Sequence, residues 1–131
     1  MASSKRKRTK THHDHSINDY SIEGINSKSD TLLNVVKGYQ KDGVPVDGIG
    51  FQAHFFVGGV PDTLQQNLQR FADLGLDVAI TELDINLRGP ATPELLEQQA
   101  KDCWTVVNAC VQVKRCVSVV SSSPWRSYVY F

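Results

Sequence analysis

The feature that most constrains what this chain can fold into is the alternation of two hydrophobic periods along it. Short apolar runs of strand length alternate with stretches whose apolar residues recur every three or four positions, the repeats of strand and helix. The pattern predicts strands over Ser16 to Ile22, Asp47 to His54, Asp77 to Asp84 and Cys116 to Val120. Three helices fill the gaps. The first starts from Ser29 as N-cap, carries Leu32, Leu33, Val35, Val36 and Tyr39, and ends at Gly43. The second covers 62–74, with Leu64, Leu68, Phe71 and Leu74 on one side and Gly75 behind it. The third has Thr92 as cap, Pro93 in its first turn and Glu94 at the positive end of its dipole. Its apolar residues Leu96, Ala100, Cys103, Val107 and Cys110 trace a helical face.

Helices of this length are right-handed crossovers between parallel strands. The order β-α-β-α-β-α-β therefore belongs to a piece of a (β/α)₈ barrel or to an open doubly wound sheet, and periodicity does not choose between them. The usual phosphate-binding glycine signatures of the open sheet, G-x-G-x-x-G and G-x-x-x-x-G-K-[ST], are absent. A chain of 131 residues fits about one small domain.

The net charge of zero conceals two unlike parts. Residues 1–15 hold Lys5, Arg6, Lys7, Arg8 and Lys10 against Asp14, whereas the remainder holds nine basic and thirteen acidic side chains. The first fifteen residues read as a disordered basic tail. As a nuclear-localisation or nucleic-acid patch, Lys5 to Arg8 would need basic continuation on the body, which is acidic, so no nucleic-acid partner is expected. His12, His13, Asp14 and His15 form at most an adventitious metal cluster, and no metal site is expected. No apolar run reaches the roughly 20 residues of a membrane span, and the basic start has no apolar stretch of a secretory signal behind it. Cys103, Cys110 and Cys116 lack CxxC spacing, and their odd number leaves a thiol over.

Two strands carry polar residues where a parallel sheet is ordinarily apolar. In Gly50-Phe51-Gln52-Ala53-His54, Gln52 and His54 are two apart and so share a face; in Thr81-Glu82-Leu83-Asp84, so do Glu82 and Asp84. Both pairs stand at the C-terminal ends of consecutive strands, where barrel enzymes place their catalytic groups. The alternative is that Glu82 opens a solvent-facing loop and His54 caps a strand. Four polar residues in phase suit a carboxylate nucleophile kept ionised by a neighbouring imidazole.

These residues resemble glycoside hydrolase family 10, the endo-1,4-β-xylanases. The resemblance lies in Gly48 to His54, Thr63 to Asp84 and Ala91 to Cys116, with Asn18-Asp19-Tyr20 and Ile22-Glu23 one strand earlier. It implies an incomplete (β/α)₈ TIM barrel, roughly its last three β/α units, and retaining hydrolysis of xylan. By the resemblance, Glu82 is the nucleophile, His54 hydrogen-bonds it and the sugar, and Asp84 orients the histidine. Gln52 lines the same subsite, and Tyr20, with Asn18 on its strand, contributes to substrate binding. It further implies a Cys110–Cys116 disulfide, with Cys103 as a packed core thiol, no cofactor, a xylan or xylo-oligosaccharide partner and a secreted protein.

The resemblance covers 16–119 as a partial catalytic domain and leaves 120–131, with Trp125, outside it. The family's acid/base is a Glu preceded by Asn, and these 131 residues contain no Asn-Glu pair. Glu23 is not expected to substitute. The isolated chain is accordingly expected to be inactive and, with open sheet edges, to self-associate.

Overall fold

The computed structural model describes residues 14–122 and 128–130. The basic run Lys5 to Lys10, together with His12, His13 and Trp125, lies outside the described residues. The chain alternates as its periodicity requires: β1 (Ser16–Asp19), α1 (Ser27–Lys41), β2 (Gly48–Phe51), β3 (His54–Phe56), α2 (Leu64–Ala72), β4 (Asp77–Asn86), α3 (Pro93–Val111), β5 (Cys116–Ser121) and β6 (Tyr128–Tyr130). The sheet order is β1-β2-β4-β5-β6, with β3 also on β4. The pairs β1–β2, β2–β4, β3–β4 and β4–β5 are parallel, whereas β6 lies antiparallel to β5.

Helices and sheet meet over one apolar layer. Ile49, Phe51, Val78, Ile80 and Val119 from the strands pack with Leu33, Val36, Leu64, Leu68, Phe71, Val106 and Val113. At its centre Phe51 and Phe71 meet edge to face, their ring centroids 5.6 Å apart. Small and polar residues line the other face of the sheet, among them Ser16, Asn18, Gly50, Ala79 and Thr81.

Four details differ from the sequence reading. The N-cap of α1 is Asn26, not Ser29; Ser29 completes a capping box by accepting from the Asn26 amide at 2.9 Å. The first strand stops at Asp19 instead of Ile22, because Ser21 takes a left-handed conformation (φ 58°) and turns the chain. The second strand is broken in two at Ala53 (φ 64°), so Gln52 falls between β2 and β3.

The face of α3 is the fourth. Leu96 and Ala100 are exposed, and the helix seats Asp102, Val106, Ala109 and Cys110 in the interior instead. Cys103 and Val107 pack at the margin of the core. The apolar positions of α3 therefore point in two directions, and Leu96, Trp104 and Val111 form a second flank open to solvent.

Cys110 and Cys116 form a disulfide that joins the end of α3 to the start of β5, with Cα atoms 5.3 Å apart. Cys103 is the free thiol, and partial burial holds its pKa above the ordinary value. The bridge closes a loop of sequence separation 6. For so short a loop the chain-entropy relation gives about 2 kcal/mol. Cys110→Ala/Cys116→Ala is expected to lose about that much in urea unfolding; an unchanged midpoint would show that the bridge constrains nothing.

Candidate active site

The site is made by a fault in the β4 ladder. Along β2 and β3, Phe51 lies opposite Ile80 and His54 opposite Asp84, so three steps face four. On the other side Ile80 lies opposite Val119 and Leu83 opposite Ser121. Relative to β2 and β3, β4 thus carries one extra residue between Ile80 and Asp84, and relative to β5 one between Ile80 and Leu83, a β-bulge. Its effect shows in burial: Val78 and Ile80 face the helices, and so do Leu83 and Ile85, an odd step later. Thr81 and Glu82 are consequently both left toward Asn18. The Thr81 hydroxyl donates to Asn18 Oδ1 at 2.9 Å, and Asn18 Nδ2 donates to Glu82 Oε1 at 3.5 Å.

Gly50 makes room for this arrangement. A Cβ there would lie 2.6 Å from Asn18 Oδ1 and 2.9 Å from Thr81 Cγ2. Only glycine lets those two side chains meet across β2.

His54 stands between the carboxylates, its Nδ1 2.8 Å from Asp84 Oδ2 and its Nε2 3.4 Å from Glu82 Oε2. The hydrogen bond with Asp84 holds its pKa above the ordinary 6.5, against a desolvation that would lower it, and the charge of Glu82 adds in the same direction. Cationic His54 therefore persists to higher pH than a free imidazole. Its contribution to stability is fully present below about 6.5 and fades as the pH rises through the raised value. With side chains 43% exposed the effect on stability is small. Asp84→Asn is expected to move the His54 midpoint down, read from its ring-proton shifts by NMR; an unmoved midpoint would show that the pair is not made in solution.

Of the residues singled out from sequence, Asn18, His54, Glu82 and Asp84 come together. Gln52 reaches the group through its backbone, accepting from the Glu82 amide at 3.1 Å and donating to Asp19 O at 3.0 Å. Tyr20 follows β1 at the same rim, 59% exposed, with Lys28 Nζ 3.8 Å from its ring centroid. Lys28 also pairs with Asp19 at 2.8 Å and so lowers that carboxyl's pKa.

Sequence reasoning missed Thr81, Lys28 and Ser122. The Ser122 hydroxyl stands 2.9 Å from the Glu82 carbonyl oxygen and 3.3 Å from Asp84 Oδ2. It lies within 120–131, outside the residues that carry the resemblance, and only the pairing of β5 with β4 reveals its place.

A chain with this site is similar to proteins of known activity. The pattern of Glycosyl hydrolase family 10 matches residues 5–125. An endo-1,4-β-xylanase of Agaricus bisporus is 54% identical over 103 residues, which are 79% of this chain and 31% of that one. A solved family 10 endo-β-1,4-xylanase from Gloeophyllum trabeum is 52% identical with TM-score 0.70, covering 76% of this chain and 31% of that one. The family 10 xylanase of Bispora sp. MEY-1, solved with xylobiose, has TM-score 0.76 at 36% identity, covering 79% of this chain and 32% of that one. The chain thus spans less than a third of the length of these relatives, and its parallel strands and helices are part of a (β/α)₈ barrel. By family pattern and by fold, the chain belongs to glycosyl hydrolase family 10.

Proposed function

We propose that the chain supplies the nucleophile side of an endo-1,4-β-xylanase site acting on xylan or xylo-oligosaccharides, with residues 16–119 as its share of the catalytic domain. The observation that carries this reading is Glu82 held between Asn18 and His54, with Asp84 behind the imidazole. In the reaction, a Glu82 oxygen attacks the anomeric carbon as the bond to the leaving oxygen breaks, giving a glycosyl-enzyme. Water then attacks the same carbon and releases the carboxylate. His54 donates from Nε2 toward Glu82, and Asp84 fixes the ring by its hold on Nδ1. Gln52 and Tyr20 line the cleft on either side. The Cys110–Cys116 bridge fits an oxidising, secretory compartment.

Retention also needs an acid/base carboxyl about 5–5.5 Å from the nucleophile. Asp84 is engaged by His54, and Glu23 accepts from a buried amide. Neither is free to protonate a leaving group. The 131-residue chain alone is expected to show no detectable xylan hydrolysis, since that protonation contributes roughly 10²–10⁴-fold. The test is labelling by a 2-deoxy-2-fluoro-xylobioside with a dinitrophenolate leaving group, which departs without an acid. The chain would be refolded with the upstream β/α units of the Agaricus relative. Peptide mapping should find the sugar on Glu82; a label on another residue, or none, would refute the assignment.

The exposed flank of α3, with Trp104 68% exposed, and the outer edge of β1 give the chain surfaces for self-association. Light scattering of the chain alone is expected to report species larger than a monomer, and Trp104→Lys to reduce them. A monodisperse monomer would count against this.

A further inference from the structure

Behind the site lies Glu23, at 4% exposure a buried carboxyl outside the group that faces the substrate. Its Oε1 accepts the amide of Ala53 at 2.9 Å. Ala53 is itself fully buried and holds the left-handed conformation (φ 64°) that separates β2 from β3. A residue with a Cβ rarely adopts that conformation, and it persists only where the surroundings enforce it. The Ala53 carbonyl in turn accepts the Asp84 amide at 3.2 Å, and the next residue is His54. One strained residue therefore joins Glu23 to both members of the His54–Asp84 pair.

Glu23 is fixed from below. Asn67 of α2, fully buried, donates from Nδ2 to the carbonyls of Ile22 at 2.6 Å and Glu23 at 3.2 Å. Its Oδ1 has no partner among the described residues. The opposite amide orientation would set that oxygen against two carbonyls. The neighbouring backbone is equally confined, because a Cβ on Gly24 would lie 2.8 Å from Pro61 Cβ. The loop after β1 is thus clamped under α2, and it presents one carboxylate to one amide.

We infer that Glu23 is a positioning residue: by holding the Ala53 amide it enforces the turn that sets His54 opposite Asp84 and beside Glu82. Without that turn, continuation of the β2–β4 register would put His54 opposite Leu83, on the buried face of β4. The inference rests on the role proposed above for the His54 group. Its readouts need no turnover, so failure of the xylanase assignment and failure of this inference are separate results.

The test is NMR on the full chain, following the Ala53 amide and the His54 titration in three variants. The groups that face the imidazole are Asp84 and Glu82. Glu23→Gln removes the charge and keeps an acceptor of the same reach. It is expected to shift the Ala53 amide proton upfield while leaving the His54 midpoint in place. Glu23→Leu removes the acceptor and is expected to abolish Ala53 exchange protection and to lower the His54 midpoint toward its ordinary value. Should the leucine variant not fold, Glu23→Asp, which withdraws the carboxylate by one methylene, is expected to lower the midpoint likewise. An Ala53 amide indifferent to Glu23→Gln overturns the inference. So does a folded leucine or aspartate variant whose His54 midpoint is unchanged.

Discussion

Glu82→Gln, made in the chain refolded with the upstream units of a family relative, is expected to remove xylan hydrolysis by on the order of 10⁴-fold or more. The substitution keeps size and leaves the contact with Asn18 within reach, but an amide does not form the glycosyl ester on which retention depends. The loss should fall on kcat. An effect confined to KM would mean that Glu82 only binds sugar, and another residue would then have to be the nucleophile. The control is structural: Glu82 faces Asn18 and His54 outside the apolar layer, so urea midpoints of parent and variant should agree to within about 0.5 kcal/mol. Activity lost together with stability would leave the chemical assignment unsupported.

Phe51→Ala is expected to have the largest effect on the fold, about 3–5 kcal/mol in urea unfolding followed by far-UV circular dichroism. Phe51 is fully buried, stacks edge to face on Phe71 and lies opposite Ile80, at the point where β4 begins its bulge. Removing the ring leaves a cavity between two strands and a helix. Domains of this kind have only about 5–15 kcal/mol in total, so much of the cooperative transition should disappear. Val117→Ala, on a side chain 45% exposed, should shift the midpoint by less than about 0.5 kcal/mol. A loss below about 1 kcal/mol at Phe51 would show that the apolar layer is not closed in solution.

Much of the fold was legible because it depends on local signals. Thr92 and Pro93 start α3 as their capping chemistry requires, and Gly43 with φ 73° follows the end of α1. The errors have equally local causes. Asn26 and Ser29 are both competent caps, and the reciprocal bond between them, not residue type, decides which one ends the helix. On α3 the apolar residues point in two directions, and periodicity does not reveal which flank meets the sheet.

The site divides along the same line. Residue type and spacing by themselves determined that Glu82 and Asp84 share a face, that His54 belongs with them, and that the strands run parallel. Strict alternation from Val78 would nonetheless carry Glu82 to the side of Ile80, into the helices. Only the tertiary structure decided otherwise, by the extra residue of β4 and the left-handed turn at Ala53. A bulge is a mismatch between neighbouring strands, so no strand contains it alone. It is held by groups distant in sequence: Gly50, whose missing side chain admits Asn18 and Thr81; Ser122, just past the end of β5; and Glu23 beneath Ala53.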